Sequence, residues 1–208
     1  MSKYTIFENP KLGKKMIYYP CPKNANTSVK LFLARHGNVD EKYLFVGDEI
    51  PEIKQKEEDY RGKKNLISFI LSKQPFEKRD VDITCCIIRD PVKRFISAYK
   101  NRILFHKDQG FKSHTVDMVL DKLENNNFEN LHFLPQTYFL GNTLDYYSFW
   151  GTPENINTFV EKVNDFFGRK IDFPRIQTGG NNFNIKFSNL QIQRIEKIYE
   201  KDFLLIDK

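Results

Sequence analysis

A nearly unbroken run of β-branched residues and cysteines at positions 81–88 constrains the fold of this chain more than any other segment. Such a run predicts a central parallel strand that is covered on both faces. Asp90 and Pro91 follow it and are typical of the N-cap and the first turn of a helix. This order of strand, turn and helix predicts that Arg89 lies at the carboxyl end of a sheet strand, where ligands of open α/β sheets bind.

Apolar periodicity along the rest of the chain predicts an α/β protein with a parallel sheet of about four to five strands and helices on both faces. Residues 1–14 are interpreted as a polar lead-in. The clearer elements are strands at 15–19, 81–88 and 144–150, and helices at 27–35, 115–123, 152–167 and from Ser188 onward. Weaker patterns indicate a strand at 43–46, a charged surface segment at 52–61 and a one-sided helix at 65–73. No linker or repeat interrupts the 208 residues, so residues 1–208 are predicted to form one domain.

The segment 19–28 joins the first predicted strand to the first predicted helix and contains Lys23, Thr27 and Ser28. A helix N-terminus carries unpaired amide donors and the positive end of the macrodipole. With hydroxyl groups and an ammonium group beside those amides, the segment predicts a site for phosphate or sulfate. It differs from the phosphate loop of nucleotide triphosphatases, in which glycine precedes the lysine, because here Lys23 comes first and the loop has no glycine.

Three segments resemble motifs of one enzyme family. Lys23 with Thr27 and Ser28 at a strand-to-helix turn resembles the 5′-phosphosulfate loop of sulfotransferases, whose donor is 3′-phosphoadenosine 5′-phosphosulfate (PAPS). Residues 85–99 are similar to the family's 3′-phosphate motif, an apolar strand that ends in Arg-Asp-Pro before a helix with Arg, Ser and Tyr. Residues 132–136 resemble the His-x-x-Pro-Gln segment of the membrane-bound carbohydrate sulfotransferases and their bacterial relatives.

The resemblance implies a three-layer, P-loop-like fold and an enzyme that moves the sulfuryl group of PAPS to an acceptor hydroxyl by in-line displacement. The resemblance also implies that the product is 3′,5′-adenosine bisphosphate (PAP), that no metal takes part and that the acceptor is a carbohydrate, with protein, lipid and small-molecule acceptors as alternatives. Lys23 would neutralise the bridging oxygen and the leaving phosphate, and Arg89 and Ser97 would bind the 3′-phosphate. The residues implied to hold the 5′-phosphate and the sulfonate are Asn24, Ala25, Asn26, Thr27 and Ser28.

The acceptor hydroxyl needs a general base, and two histidines are candidates. His132 is preferred because imidazole titrates near neutral pH and its motif is tied to the acceptor side in the family. Its alternative role is to order its own loop. His36 is the second candidate, with a surface position near a helix end as its alternative. Gln136 either binds the sugar or caps the backbone.

The basic residues near these motifs also have structural alternatives. In the structural interpretation, Arg89 forms an ion pair with Asp90 or another carboxylate. In the same interpretation, Arg94 only connects the helix to the strand ends. Gly179, Gly180 and Lys186 match the rest of the family's nucleotide pocket only loosely.

Composition narrows the function without deciding it. The net charge of +6 and the pI of about 9.0 favour an anionic ligand. Three cysteines, two of them adjacent at Cys85 and Cys86, are interpreted as reduced and structural. The first 15 residues have the character of neither a signal peptide nor a membrane anchor, so the sequence predicts a cytoplasmic protein without a transmembrane anchor.

Two other classes of function compete with the transferase. A nucleotide-dependent kinase has the same layered architecture, but the Gly-Lys-Ser/Thr order and a clear Mg²⁺-binding carboxylate after a strand are missing. A non-catalytic basic module would bind glycan or nucleic acid. Its basic residues would form a stripe, whereas Lys and Arg are scattered here, so a nucleic-acid partner is not predicted.

Overall fold

The computed structural model describes residues 5–9, 11–36, 75–108, 110–111, 114–174 and 183–206. Within these ranges one sheet has the strand order β1-β2-β3-β4. The strands are β1 (Thr5–Asn9), β2 (Lys14–Tyr19), β3 (Ile83–Ile87) and β4 (Phe149–Gly151). β2, β3 and β4 are parallel to one another, whereas β1 is antiparallel to β2. The predicted segments at 43–46, 52–61 and 65–73 lie outside the described residues.

Helices surround this sheet. They are α1 (Asn26–His36), α2 (Pro91–Ala98), α3 (Val116–Glu124), α4 (Gln136–Leu140), α5 (Asn157–Phe167), α6 (Asn189–Ile198) and α7 (Glu200–Ile206). α2 continues directly into a π-helix at Tyr99–Phe105, and a 3₁₀ turn at Leu131–Phe133 precedes α4. No helix in the described ranges has the length and apolarity needed to cross a membrane.

Alternate side chains of β2 point to opposite faces of the sheet, and both faces are buried. Met16 and Tyr18 pack with residues of α1 and α5, whereas Ile17 and Tyr19 pack with residues of α4 and α7. A third apolar cluster joins α2, α3 and α6. The predicted α/β fold, with a parallel sheet between two layers of helices, is therefore confirmed.

The edge strand β1 corrects the interpretation of residues 1–14 as a lead-in. Phe7 is buried beside Met16, and its ring lies 5.7 Å from that of Phe167. The side-chain amide of Asn9 donates to the Phe166 carbonyl. Backbone pairing and these contacts with α5 make a strand of a segment whose sequence is mostly polar. In the described ranges the sheet thus has three parallel strands and one antiparallel strand, not four to five parallel strands.

Local signals place most helix ends correctly. The Asp90 carboxylate accepts from the Lys93 amide at 2.7 Å, with Pro91 in the first turn of α2. Ser188 and Gln191 form the predicted capping box of α6. Two elements begin about five residues later than predicted. The strand predicted at 144–150 is shortened to β4 because the chain turns at residues 144–147, where Tyr147 donates to the Leu140 carbonyl, and the helix predicted from residue 152 begins at Asn157.

Candidate active site

The loop at residues 20–25, here called the Lys23 loop, connects β2 to α1. Its backbone has positive φ at Lys23 (70°) and Ala25 (54°), with Asn24 between them outside that region. L-residues rarely adopt positive φ, and such backbone persists where the surrounding structure enforces it. Alternation of this kind forms a concave nest of amide groups, which binds anions. α1 has no acidic residue in its first turn, so the positive end of its dipole is not neutralised there.

Asn24 and Gln136 hold the Lys23 loop against the end of β3. Both side chains are completely buried. The Asn24 amide donates to the Ile87 carbonyl at 2.7 Å and to Gln136 Oε1 at 2.6 Å. Gln136 also accepts from the Arg89 amide at 3.0 Å and donates to the Arg89 carbonyl at 2.7 Å. These bonds join the Lys23 loop to the end of β3 and leave Gln136 no surface for an acceptor.

Arg94 and Asp202 complete this buried polar layer. Arg94 Nε donates to the Pro22 carbonyl at 3.0 Å, and the side chain is 1% exposed. Asp202, from α7, accepts from the amides of Gln136 at 2.7 Å and Thr137 at 2.9 Å. Burial raises the pKa of Asp202, while Arg94 and these hydrogen bonds oppose the rise. The loop is therefore supported by residues from α2, α4 and α7.

Lys23 and Arg89 meet at this loop although 66 positions separate them in the sequence. Arg89 Nη1 donates to the main-chain carbonyl of Lys23 at 2.8 Å. Lys23 Nζ donates to Asn101 Oδ1 at 2.8 Å, and Asn101 lies in the π-helix. π-Helical segments occur frequently at functional sites. The ends of β2 and β3 thus bring an ammonium and a guanidinium group to one place.

The electrostatics of the site are strongly cationic. Burial, followed by the charges of Arg102, Arg89 and Arg94, lowers the pKa of Lys23 to about 8. Burial also lowers the pKa of Arg89. Cations that disfavour one another's charge in this way create a positive potential that attracts anions.

His132 lies in the 3₁₀ turn before α4. Its amide donates to Asn130 Oδ1 at 3.0 Å, and its Nδ1 lies 2.9 Å from the same oxygen. Burial, followed by the nearby charges of Arg102, Lys23, Arg94 and His106, lowers its pKa to about 3. The imidazole is therefore neutral at physiological pH, and it lies within electrostatic range of Lys23.

His36 is placed away from the Lys23 loop. It ends α1, roughly 15 Å along the helix axis from Asn26. The ring is 4% exposed, stacks on Phe167 at 4.6 Å, and pairs through Nε2 with Asn164 Oδ1 at 3.0 Å. The alternative surface position for His36 is therefore wrong.

The remaining predicted residues lie on the elements around the loop. Asn26, Thr27 and Ser28 form the first turn of α1, and Tyr18 donates to Asn26 Oδ1 at 3.4 Å. Ser97 is half-buried in α2, two residues before the π-helix. Lys186 is exposed before α6, and the pair at 179–180 lies outside the described residues.

Several residues of this site carry no local sequence signal. Asn101 and Arg102 face it because the π-helix changes the helical phase after α2. Asp202 lies near the end of the chain, and Asn130 precedes the recognised motif by two residues. Of these residues, only Asn130 has a recognisable sequence signal. An asparagine directly before a turn often caps it with its side chain.

A loop of this type at the ends of parallel strands is typical of α/β proteins that bind phosphate or sulfate groups. Residues 9–207 match the sulfotransferase family. Because the match covers nearly the whole chain, the protein belongs to the sulfotransferase family and is a transferase of sulfuryl groups. No curated protein and no solved structure shows a significant match to the chain.

Proposed function

We propose that residues 1–208 form one sulfotransferase domain, which moves the sulfuryl group of PAPS to a hydroxyl group of a carbohydrate. The observation that carries this proposal is the hydrogen bond of Arg89 Nη1 to the Lys23 carbonyl at 2.8 Å, which holds two cations on one loop. PAPS carries a sulfonate and a 5′-phosphate at one end and a 3′-phosphate at the other. A ligand with two separated anionic ends suits two cations from neighbouring strands.

Lys23 and the loop act on the sulfuryl end of the donor. The amides of residues 24–28 and the hydroxyls of Thr27 and Ser28 bind the 5′-phosphate and the sulfonate. The acceptor oxygen forms a bond to sulfur while the bond from sulfur to the 5′-phosphate oxygen breaks, and its electron pair stays on the phosphate. Lys23 leaves Asn101 and neutralises the charge that develops on this oxygen, so catalysis rests on placement and charge stabilisation.

Arg89 and Ser97 bind the 3′-phosphate in this proposal. Arg89 uses only Nη1 for a hydrogen bond within the described residues, and its buried Nε has no partner there. Arg94 has a comparable nitrogen, Nη2, but its buried position and its bond to Pro22 make it a support of the loop. Gln136 has the same supporting role and does not bind the acceptor.

The adenine base is assigned to a depression at the carboxyl end of β4, beside the strand that carries Arg89. Trp150 is 44% exposed there and offers a ring face on which a purine stacks. Glu154, in the following turn, is close enough to affect the pKa of Arg89, which indicates that the depression adjoins the cationic site. Its lining consists of Trp150, Gly151, Thr152, Asn155 and Thr158.

His132 is the base that accepts the proton of the acceptor hydroxyl. It is neutral and near Lys23, whereas His36 is buried at the far end of α1. Phe105 is 53% exposed at the end of the π-helix, and its ring lies 4.9 Å from that of His106, which is within electrostatic range of His132. An exposed aromatic ring beside His106 supports a sugar acceptor, because aromatic rings pack against the apolar face of a pyranose.

Calorimetry with PAP, with ATP and with an oligonucleotide tests the donor. We expect tight binding of PAP without Mg²⁺, and we expect Arg89→Ala to weaken it by about tenfold to a hundredfold. Binding of ATP that requires Mg²⁺ would instead support a kinase. Binding of the oligonucleotide but not of PAP would support a non-catalytic basic module.

A screen of glycans with labelled PAPS tests the acceptor. We expect label to pass to a hydroxyl of a glycan and not to tyrosine peptides or phenols. Transfer to a peptide or a phenol alone would contradict the carbohydrate assignment and leave the PAPS donor intact.

A further inference from the structure

The side chain of Asn130 contacts His132 twice. Its Oδ1 accepts from the main-chain amide of His132 at 3.0 Å and lies 2.9 Å from Nδ1 of the same residue. An imidazole nitrogen in such a contact either donates or accepts, depending on the tautomer. The atom that faces it therefore decides where the proton of His132 resides.

The neighbours of Asn130 fix the orientation of its amide. The amide of His132 is only a donor, so the atom of Asn130 that faces it is the oxygen. On the other side, Asn130 Nδ2 lies 2.7 Å from Asp108 Oδ2, and a carboxylate oxygen is only an acceptor. Both contacts of the Asn130 amide give the same orientation, in which Oδ1 faces His132 Nδ1. Because an amide oxygen only accepts hydrogen bonds, Nδ1 must carry the proton. Nε2 then has its lone pair available, and none of the described residues forms a hydrogen bond with it.

Asp108 connects this arrangement to the donor side of the site. Its Oδ2 also accepts from Arg102 Nε at 2.7 Å, and Arg102 follows Asn101, the partner of Lys23, in the π-helix. Groups from every surrounding element act on His132. They are Arg102 and His106 from the π-helix and its end, Lys23 from the loop and Arg94 from α2. All four disfavour imidazolium, and a bound anionic donor would reduce their effect.

We propose that Asn130 is a positioning residue, which holds the proton of His132 on Nδ1 and leaves Nε2 to receive the proton of the acceptor hydroxyl. Asp108 and Arg102 hold Asn130 in this orientation. The inference rests on the proposed function, in which His132 is the base. As the acceptor oxygen bonds to sulfur, its proton passes to Nε2, and the Nδ1 proton remains on the hydrogen bond to Asn130.

Nitrogen NMR of ¹⁵N-histidine-labelled protein tests the inference without an acceptor. We expect His132 in the Nδ1–H form at neutral pH and a loss of that form in Asn130→Ala. Asn127→Ala is the matched control, because Asn127 Oδ1 accepts from the amide two residues later, at 3.4 Å, but contacts no histidine. An Nε2–H form in the wild-type protein would overturn the inference.

A double-mutant cycle tests the catalytic consequence. We expect His132→Ala to lower kcat by about 10²-fold to 10⁴-fold, and Asn130→Ala to lower it by about tenfold or more with little change in the donor KM. In the His132→Ala background, Asn130→Ala should have no further effect, because it acts through the imidazole. Additive losses would overturn the inference. An unchanged rate in His132→Ala would instead remove His132 as the base, whatever its tautomer.

Exchanging the side chains of Asn130 and Asp108 distinguishes a positioning role of Asn130 from a purely structural one. In Asn130→Asp with Asp108→Asn, the carboxylate accepts from both donors of His132, and the new amide bridges it to Arg102. We expect the swap to restore the Nδ1–H form and most of the rate that Asn130→Ala loses. The carboxylate also raises the pKa of the base, so the acid limb of kcat/KM should shift to higher pH. A folded swap variant in the Nε2–H form would contradict the proposed orientation.

Discussion

The arginines of this protein differ in the groups to which they donate hydrogen bonds: Arg194 donates to carboxylates, whereas Arg89 and Arg94 donate to main-chain carbonyls. Arg194, on α6, is surrounded by carboxylates of α3. It donates to Glu124 at 2.8 and 2.7 Å, to Asp117 at 3.1 Å and to Asp121 at 2.5 Å. The hydrogen bonds with Glu124 and Asp121 raise the pKa of Arg194, and the hydrogen bond with Arg194 lowers the pKa of Glu124. The charge is satisfied within the protein, and the cluster joins two helices at the surface.

Arg89 and Arg94 donate instead to main-chain carbonyls, those of Lys23 and Pro22. Each keeps one buried nitrogen without a partner among the described residues. A carbonyl orients a guanidinium group but does not cancel its charge. The difference teaches that Arg194, which is fixed by carboxylates, serves the fold, whereas in our proposal Arg89, which is fixed by a carbonyl, keeps its charge for a ligand. Arg94 is buried and supports the Lys23 loop.

Lys23→Met gives the largest effect that this comparison predicts. The substitution keeps the stem of the side chain and removes the charge at the leaving oxygen. We expect the transfer rate to fall by about a hundredfold to a thousandfold, or roughly 3–4 kcal/mol, while the melting temperature changes little. Lys162→Met, at an exposed position of α5, is the control. Initial rates with labelled PAPS measure the effect, and a variant with the wild-type rate would remove Lys23 from the mechanism.

The positions of Lys23 and Arg89 at the ends of neighbouring strands follow from local signals in the sequence. A strand, a loop and a helix cap place Lys23 and Arg89, and each of these elements is encoded within about ten consecutive residues. The supporting layer is different. Asn24 and Gln136 are 112 positions apart, and Gln136 and Asp202 are 66 apart. No periodicity links such pairs, so only the assembled fold shows that Gln136 supports the Lys23 loop.

The same distinction applies to the fold. The central strands and the helix caps follow from short patterns, whereas β1 depends on pairing with β2 and on contacts with α5. The π-helix is also hidden from sequence, because its residues continue the apolar pattern of α2.

Asp202→Ala tests the buried polar layer that holds the Lys23 loop and Arg94 in place. The substitution removes a buried carboxylate that accepts from two amides and lies near Arg94. We expect the free energy of unfolding to fall by about 2–4 kcal/mol, and the affinity for PAP to fall with it because Gln136 loses its anchor. Urea denaturation measures the first effect and calorimetry the second. Asp165→Ala, at an exposed site on α5, is the control, and equal stability of the two variants would contradict the support.

The pH dependence of donor binding tests whether the charge of Lys23 serves the ligand. In the free protein, burial and then the neighbouring arginines lower the pKa of Lys23 to about 8. An anionic donor favours the charged ammonium, so binding raises this pKa and takes up a proton. The affinity for PAP is therefore full below about pH 8 and falls by up to about tenfold per pH unit above it, until the pKa of the complex is reached. Calorimetry in buffers of different ionisation enthalpy measures the proton uptake. Lys23→Met should abolish it in this window, and an equal uptake by that variant would assign it to another group.

Arg194→Ala gives the smallest effect, although Arg194 forms ion pairs with three carboxylates. The side chains of its three partners are 39–64% exposed, so water and salt screen the charges that the substitution leaves behind. We expect a loss of stability below about 1 kcal/mol, which shrinks further as salt is added. We also expect unchanged affinity for PAP. A loss of affinity comparable to that of Arg89→Ala would contradict the division between the two groups, because it would mean that an arginine neutralised by carboxylates still contributes charge to the ligand.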